Sequence, residues 1–472
     1  MRLSRLPLLA TAVMTACLLP VEAAQAAGSP EAVQAEREQT GRIHFFDSDT
    51  LGTDERGRPT LAVSDSRGIF DALEKGDTAR LLQIRHTLEK APGPEPAFNV
   101  MLFALCDAAT ARTMGDLPRA DHIIHEALRQ AAPWSNPAHS VNPFNLMLAT
   151  FLTGNLLLEN QWLPWAGGRH FIDQAFRTPL ATYYGKTHLI LTDLDQISLT
   201  VPVSEILPVQ VSGPPVDQVA FNPFQTLVDG ITTATAGTII DLDGSEVHAV
   251  INTGSVLGAV PQTLQRKHHW PVIGTLSPLR NDTIQSEKND LVQVPSLTLG
   301  HTVFRNQIML VANINHTIIG LQSLGMLPHI VMTDHGMSFG PDAPFSCTRR
   351  AMLESQIDGL QASLLLPVSY GGQHRMAALV TGDNSPEPLV IERRSLTSLH
   401  GIETSQEFET GTGMVHENAI LNRTNLRLDK HAVQARIRYR VGDPAKPPIL
   451  SMSALESASL SIDLHQGVAC LD

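Results

Sequence analysis

The second half of this chain writes one unit twice. Ala249-Val250-Ile251-Asn252-Thr253-Gly254-Ser255, an apolar run entering a Thr-Gly turn, is matched further on by Ala377-Ala378-Leu379-Val380-Thr381-Gly382. Ile318-Ile319-Gly320-Leu321-Gln322-Ser323-Leu324 is echoed in turn by Ile449-Leu450-Ser451-Met452-Ser453-Ala454-Leu455, and Gly336 meets Gly467 at the same offset. Before each Thr-Gly turn stand two alternating apolar runs around glycine: Thr238 to His248 around Gly244, then Leu364 to Leu379 around Gly371 and Gly372. Alternation of that kind around turn residues reads as a β-hairpin. The pattern predicts two like β lobes in tandem.

In the first copy the hairpin and Thr-Gly turn are followed by Val294-Pro295-Ser296-Leu297-Thr298-Leu299-Gly300 and then by Thr317-Ile318-Ile319-Gly320, leading into a short helix. These landmarks, in this order, resemble the retropepsin-like aspartic peptidases. The resemblance implies a bilobal, mainly-β, acid-protease-like fold, with both lobes in one chain as in pepsin: a monomer whose lobes form an intramolecular pseudo-dimer. In that family the strand delivers an aspartate just ahead of Thr-Gly. Here Asn252 and Val380 occupy the two aspartate positions. Thr253, Gly254, Ser255, Thr381 and Gly382 match the active-site loops. The family's threonines hydrogen-bond across the lobe interface, and its glycines are read as permitting a backbone conformation closed to other residues. Glu409-Thr410-Gly411-Thr412-Gly413-Met414-Val415 lies where such peptidases carry a flap hairpin, with Gly411 and Gly413 at its tip. The matching interval of the first lobe, Val272-Ile273-Gly274-Thr275, has a weaker glycine signal.

Chemistry limits what such a chain can do. An aspartic dyad shares one proton, because like charges that close cannot both ionise. One carboxylate activates water as general base while the protonated partner hydrogen-bonds the scissile carbonyl. An asparagine amide has no proton affinity near neutral pH, and valine forms no hydrogen bond. The sequence therefore reads as a non-catalytic, pseudopeptidase homologue that binds extended peptide or protein. Two alternatives stand beside it: an active endopeptidase with an unconventional dyad, drawing on Asp241 or Asp243 of the hairpin, and a helical-repeat interaction protein whose β lobes only support it. Asp383, three residues past Val380, points away from the cleft on this reading.

Ahead of the lobes the pattern differs. Arg2 and Arg5, an apolar run from Leu6 to Pro20 and Ala24-Gln25-Ala26 form a secretory signal peptide with cleavage after Ala26. That run is too short for a membrane span. Met14-Thr15-Ala16-Cys17 fits a lipoprotein box poorly at Met14, so lipid anchoring is the lesser reading and a periplasmic or secreted location the main one. Residues 27–67 are polar and read as a linker with one short strand. From Gly68 a helical period begins: Ile69, Phe70 and Leu73 share a face, Gly76-Asp77 breaks it, and Leu81, Leu82, Arg85 and Leu88 form the next. Gly115-Asp116 repeats that break ahead of Ala120, Ile123, Ile124, Ala127 and Leu128, and a further apolar helix spans Phe144 to Leu158. These hairpins look tetratricopeptide-like. Their simplest role is a helical cap on the β region; the other is a partner-binding array.

From His188 onward the period is that of strands, in Leu189 to Leu191, Ile197 to Val203 and Ile206 to Val211. The fold class is thus α+β multidomain: signal peptide 1–26, linker 27–67, helical domain 68–185, first lobe 186–345 and second lobe 355–472.

A net charge of −13 excludes a nucleic-acid or anionic-membrane partner, since either needs a basic patch. Once Cys17 leaves with the signal, Cys106, Cys347 and Cys470 remain. An odd number in an exported chain leaves one thiol over. Cys106 lies in an apolar helix as a buried hydrophobe, so Cys347 with Cys470 is the candidate disulfide. No metal or cofactor is expected: His268-His269 has no ligand set at metal spacing around it.

Overall fold

The computed structural model describes residues 42–43, 63–90, 96–131, 142–178, 190–191, 195–222, 226–228, 231–233, 236–277, 288–383, 385–410, 413–428, 431–444, 446–456 and 458–471. The stretch read as signal peptide, most of the 27–67 segment and Gly411 lie outside them. Among the described residues no helix is long and apolar enough to cross a membrane.

The helical region consists of α1 (Val63–Glu74), α2 (Thr78–Lys90), α3 (Pro96–Thr113), α4 (Leu117–Ala131), α5 (Asn142–Leu158) and α6 (Trp162–Ile172). The first helix begins at Val63, inside the stretch read as linker. Its opening turn, Ser64 to Arg67, is polar and carries no apolar period, so nothing in the pattern marks it. In α2 the buried face is Leu81, Ile84 and Leu88, whereas Leu82 is exposed. The face expected from Leu81, Leu82, Arg85 and Leu88 is therefore rotated by about one position.

The helix pairs share one turn. Gly76, Gly115 and Asn160 all adopt left-handed backbone, and the following N–H reaches back to the same depth each time: Asp77 to Ala72 O at 2.8 Å, Asp116 to Ala111 O at 2.9 Å and Gln161 to Leu156 O at 2.8 Å. That i to i−5 bond is the Schellman helix stop, whose left-handed residue is glycine or, less often, asparagine. Asp77 and Asp116 then cap the next helix through the N–H of Arg80 and Arg119. The third copy uses asparagine in place of glycine, which is why the sequence shows only two.

The β region is two barrels of one design. In the first lobe β1 (Gly237–Leu242), β2 (Ser245–Ile251), β3 (Gly258–Pro261), β4 (Asn289–Leu299), β5 (Thr302–Ala312) and β6 (Thr317–Ile319) close a ring in the order β1-β2-β6-β3-β5-β4 and back to β1. Two further strands, β7 (Ile330–Thr333) and β8 (Gly336–Phe339), leave the ring. In the second lobe β9 (Ala362–Tyr370), β10 (Gln373–Val380), β11 (Leu389–Arg393), β12 (Gly413–Leu428), β13 (His431–Val441) and β14 (Ile449–Ser451) close as β9-β10-β14-β11-β13-β12. Each strand here is the first-lobe strand eight labels earlier, and the directions agree. β2 with β6 and β10 with β14 are parallel, as are β3 with β5 and β11 with β13. The repeat offsets hold in the register too: Ile318 pairs with Val250, and Ile449 with Ala378.

The β1–β2 hairpin turns at Asp243-Gly244, both left-handed, as a two-residue hairpin loop requires. The strands expected across Ile197 to Val203 and Ile206 to Val211 are shorter, at Ile197–Leu199 and Gln210–Ser212. Pro202 and Pro208 interrupt them, since proline supplies no ladder donor.

β15 (Leu460–Asp463) and β16 (Val468–Leu471) join β7 and β8 in a sheet shared by the lobes, where Val331 pairs with Ser461 at the centre. One continuous core runs from Ile251 and Phe304 through Met332 to Leu379 and Leu450. A disulfide joins Cys347 to Cys470 of β16, with Cα atoms 5.6 Å apart.

The helices pack on this base through their turns. A Cβ at Gly76 would meet Leu365 Cδ1 at 2.4 Å, and one at Gly115 would meet Gly467 Cα at 3.3 Å. Arg112, fully buried, donates to Phe151 O, Asn155 Oδ1 and Gln356 O at 2.6, 2.6 and 2.8 Å, tying α3, α5 and the second lobe together.

Candidate functional site

β2 and β10 both run to the lobe interface and end in the two Thr-Gly loops. Thr253 and Thr381 are fully buried there. Thr253 donates its hydroxyl to Leu379 O at 2.7 Å, and its backbone N–H donates to Thr381 Oγ1 at 3.1 Å. Thr381 does the reverse, with its hydroxyl on Ile251 O at 2.7 Å and its N–H on Thr253 Oγ1 at 3.1 Å. Four bonds of pairwise equal length relate the loops by a local two-fold. A threonine suits this position because its hydroxyl both donates and accepts.

The residues one step earlier face each other's glycines. A Cβ built on Gly382 would lie 2.5 Å from Asn252 Cγ, and one on Gly254 would lie 2.7 Å from Val380 Cγ1. Neither glycine has positive φ. The glycines are therefore needed for close approach across the interface, and the backbone-freedom role implied by the family resemblance is corrected here. Asn252 and Val380 thus sit over opposite loops at the floor of the inter-lobe junction.

Asn252 is half-buried and held from several sides. Its N–H donates to Ile319 O at 2.9 Å, and its Oδ1 accepts the Gly254 N–H at 2.9 Å. The side-chain oxygen thus bonds within its own loop, and the whole amide packs against Gly382. Val380 offers only methyl groups. None of Asn252, Thr253, Gly254, Val380, Thr381 and Gly382 carries a titratable side chain; the first along the second loop is Asp383.

The nearby carboxylates are engaged elsewhere. Asp383 follows the second loop where Ser255 follows the first; it accepts the Ser385 N–H at 2.7 Å. Burial pushes its carboxyl above the usual range, opposed by that N–H and by Arg440 and Arg438. Ser255 donates to Leu257 O at 2.7 Å. Asp241 accepts the Gly244 N–H at 3.0 Å, and Asp243 accepts Trp270 Nε1 at 2.9 Å. Both aspartates stand at the far end of β2 from Asn252, roughly 20 Å away at a strand's rise of about 3.3 Å per residue. They cannot reach the loops.

The flap candidate is built on the strand Ile402–Thr410, which pairs with β12 from Ile402 opposite Leu421 to Thr410 opposite Gly413. Gly413 thus pairs with Thr410 at the end of that ladder. In the first lobe Val272–Leu276 pairs with β4 in the equivalent place. Gly274 is inside that strand, where a Cβ would meet Ser198 O at 2.7 Å, so it marks a strand contact and no turn.

His268 takes part in a polar cluster. Its Nε2 is 2.8 Å from Ser245 Oγ and its ring stacks on Trp270 at 4.9 Å. Among the described residues no group of three or more His, Cys, Asp or Glu could hold a metal ion. The reciprocal contacts of Asn252 with Gly382 and Val380 with Gly254 were not anticipated from the sequence. The repeat alignment contained the signal, since it puts 252 and 380 in equivalent places.

No family model matches the chain, and no curated protein matches it. Among solved structures it is similar to a retropepsin-like aspartic protease from Rickettsia conorii, at 15% identity over 28% of this chain and 94% of that one, with a TM-score of 0.19. It is also similar to the protein called edgp, at 9% identity over 55% of this chain and 94% of that one, with a TM-score of 0.34. The β region itself consists of two rings of one strand order, a sheet shared by the lobes and a reciprocal Thr-Gly clasp.

Proposed function

We propose that this chain is an exported, non-catalytic aspartic-peptidase-like protein that binds an extended peptide or protein segment in the cleft between its β lobes. The observation that carries the reading is the retention of the complete Thr253–Thr381 clasp beneath two positions that hold no carboxylate. A scaffold that had lost its role along with its catalyst would have no reason to keep both loops in register. The Asn252 amide carries N–H donors of the kind that suit a peptide carbonyl, and Val380 supplies an apolar wall. The strand Ile402–Thr410 with β12 forms the hairpin that would lie over the bound segment. The Ala24-Gln25-Ala26 site supports export, and the Cys347–Cys470 disulfide is of the kind that persists in an oxidising compartment.

Fluorescence anisotropy with dye-labelled casein peptides tests this. The full mature chain is expected to bind, and Val380→Arg, with an unchanged circular dichroism spectrum, to bind at least ten-fold more weakly. Equal binding by the folded variant would overturn the placement of the site. Absence of peptide binding by the unmodified chain would overturn the function.

A further inference from the structure

The helical region holds a cavity that the proposed function leaves unused. It has a volume of about 720 Å3 and is walled by α4, α5 and α6. Its sides are apolar, with Leu128, Leu152 and Leu156 inside and Phe171 half-exposed at the mouth. This is the size of ordinary small-ligand sites. Gly167 also lines it, and a Cβ there would meet nothing within 4 Å, so one wall opens onto free space.

The polar element of the cavity is Asp121. One of its oxygens accepts Asn155 Nδ2 at 2.5 Å; the other has no hydrogen-bond donor among the described residues. Glu159, in the turn after α5, lies close enough for the two charges to repel, and both carboxyls are pushed up chiefly by burial. The cations nearby are occupied. Arg112 stands behind Asn155 with its donors on Phe151 O and Gln356 O, and its single charge is shared between Asp121 and Asp358, so that Asp121 and Glu159 together remain in excess of it. Arg129, at the rim, pairs with Glu126. His125 completes that wall. An apolar chamber with surplus, partly desolvated negative charge favours a cation carried on an apolar stem, since burying a charge is tolerated when it is paired.

We infer that the cavity between α4, α5 and α6 binds an alkylammonium group, with the stem against Leu128, Leu152 and Leu156 and the ammonium on Asp121. A lysine side chain of a partner peptide has this chemistry, as does a free alkyl amine. The site lies on other elements than the Thr-Gly loops and is independent of the cleft reading.

The test compares hexylammonium, hexanol and hexanoate, which share one stem, by isothermal titration with the full mature chain. Hexylammonium is expected to bind at least ten-fold more tightly than the other two. Asp121→Asn should remove that preference while leaving hexanol unaffected. Gly167→Phe should abolish binding of all three, because its side chain fills the cavity and a helix gains propensity on losing glycine. A lysine-containing peptide that competes with hexylammonium would identify a peptide source, and one that does not would identify a free amine; both support the site. Hexanoate binding as tightly as hexylammonium, or a folded Gly167→Phe variant with unchanged affinity, would overturn it.

Discussion

Thr253 and Thr381 each donate a hydroxyl to the other loop's approach strand and accept the other's backbone N–H, at the same 2.7 and 3.1 Å in both directions. Removing either hydroxyl leaves a buried carbonyl and a buried N–H without partners, at about 1–3 kcal/mol each. Thr253→Val and Thr381→Val should therefore each lower stability by roughly 2–6 kcal/mol and by similar amounts. Because they belong to one network, the double variant should depart from the sum by about 0.5–3 kcal/mol. Urea unfolding of the four proteins checks this. Additive losses would show that the clasp is not a unit.

The glycines next to them make a second, geometric prediction. Gly382→Ala puts a methyl against the Asn252 amide and should cost about 1–3 kcal/mol through overpacking. Asn252→Ala in the same chain should restore most of that loss, whereas Val380→Ala should not. Thermal melts of the single and double variants decide it: a Gly382→Ala loss that Asn252→Ala does not relieve would mean the residues do not face each other.

Much of this was legible in the chain itself. The offsets between the two copies, 128 residues at the Thr-Gly loops and 131 further on, predicted the equivalence of β2 with β10 and β6 with β14, because paired strands fix register through side-chain alternation. Gly76 and Gly115 announced the helical turns. Other features left no trace. The third turn is at Asn160, whose left-handed backbone no pattern marks, and α1 starts in a polar segment. The role of Gly254 and Gly382 was not readable, since a glycine needed for space and one needed for φ look alike in a sequence. The cavity around Asp121 is assembled from three helices and has no local signature at all.

The cysteines should behave in two different ways. Joining residues 123 apart restricts the unfolded chain, so reduction of Cys347–Cys470 should cost about 2–5 kcal/mol. Cys106 is buried with its thiol on Leu81 O at 3.2 Å, and burial, with Asp107 adding, pushes it up to about 12. Iodoacetamide should label nothing in the folded protein and Cys106 alone after unfolding without reductant. Labelling of Cys347 or Cys470 without reductant would contradict the bridge.

Glu159 gives a pH signature. Burial first, and the charge of Asp121 second, raise its carboxyl from 4.5 to about 7. The folded state thus holds a proton that the unfolded state releases earlier. Stability is full below pH 4.5, falls as pH rises towards about 7, and is level above that. The loss is of order 3 kcal/mol at about 1.36 kcal/mol per pH unit. Glu159→Gln should raise the melting temperature at pH 8 and leave it unchanged at pH 4. A variant less stable at pH 8 would reverse the sign.

On the proposed function the chain keeps the two-lobed scaffold without a catalyst, and proteolysis measures that directly. Asn252 cannot serve as a base and Val380 supplies no second carboxylate, so the purified mature protein should release no peptides from casein between pH 2 and 6. Asn252→Asp alone should remain inactive, since one carboxylate cannot fill both roles. Pepstatin-sensitive cleavage by the unmodified protein would contradict the account and place a working dyad elsewhere in the chain.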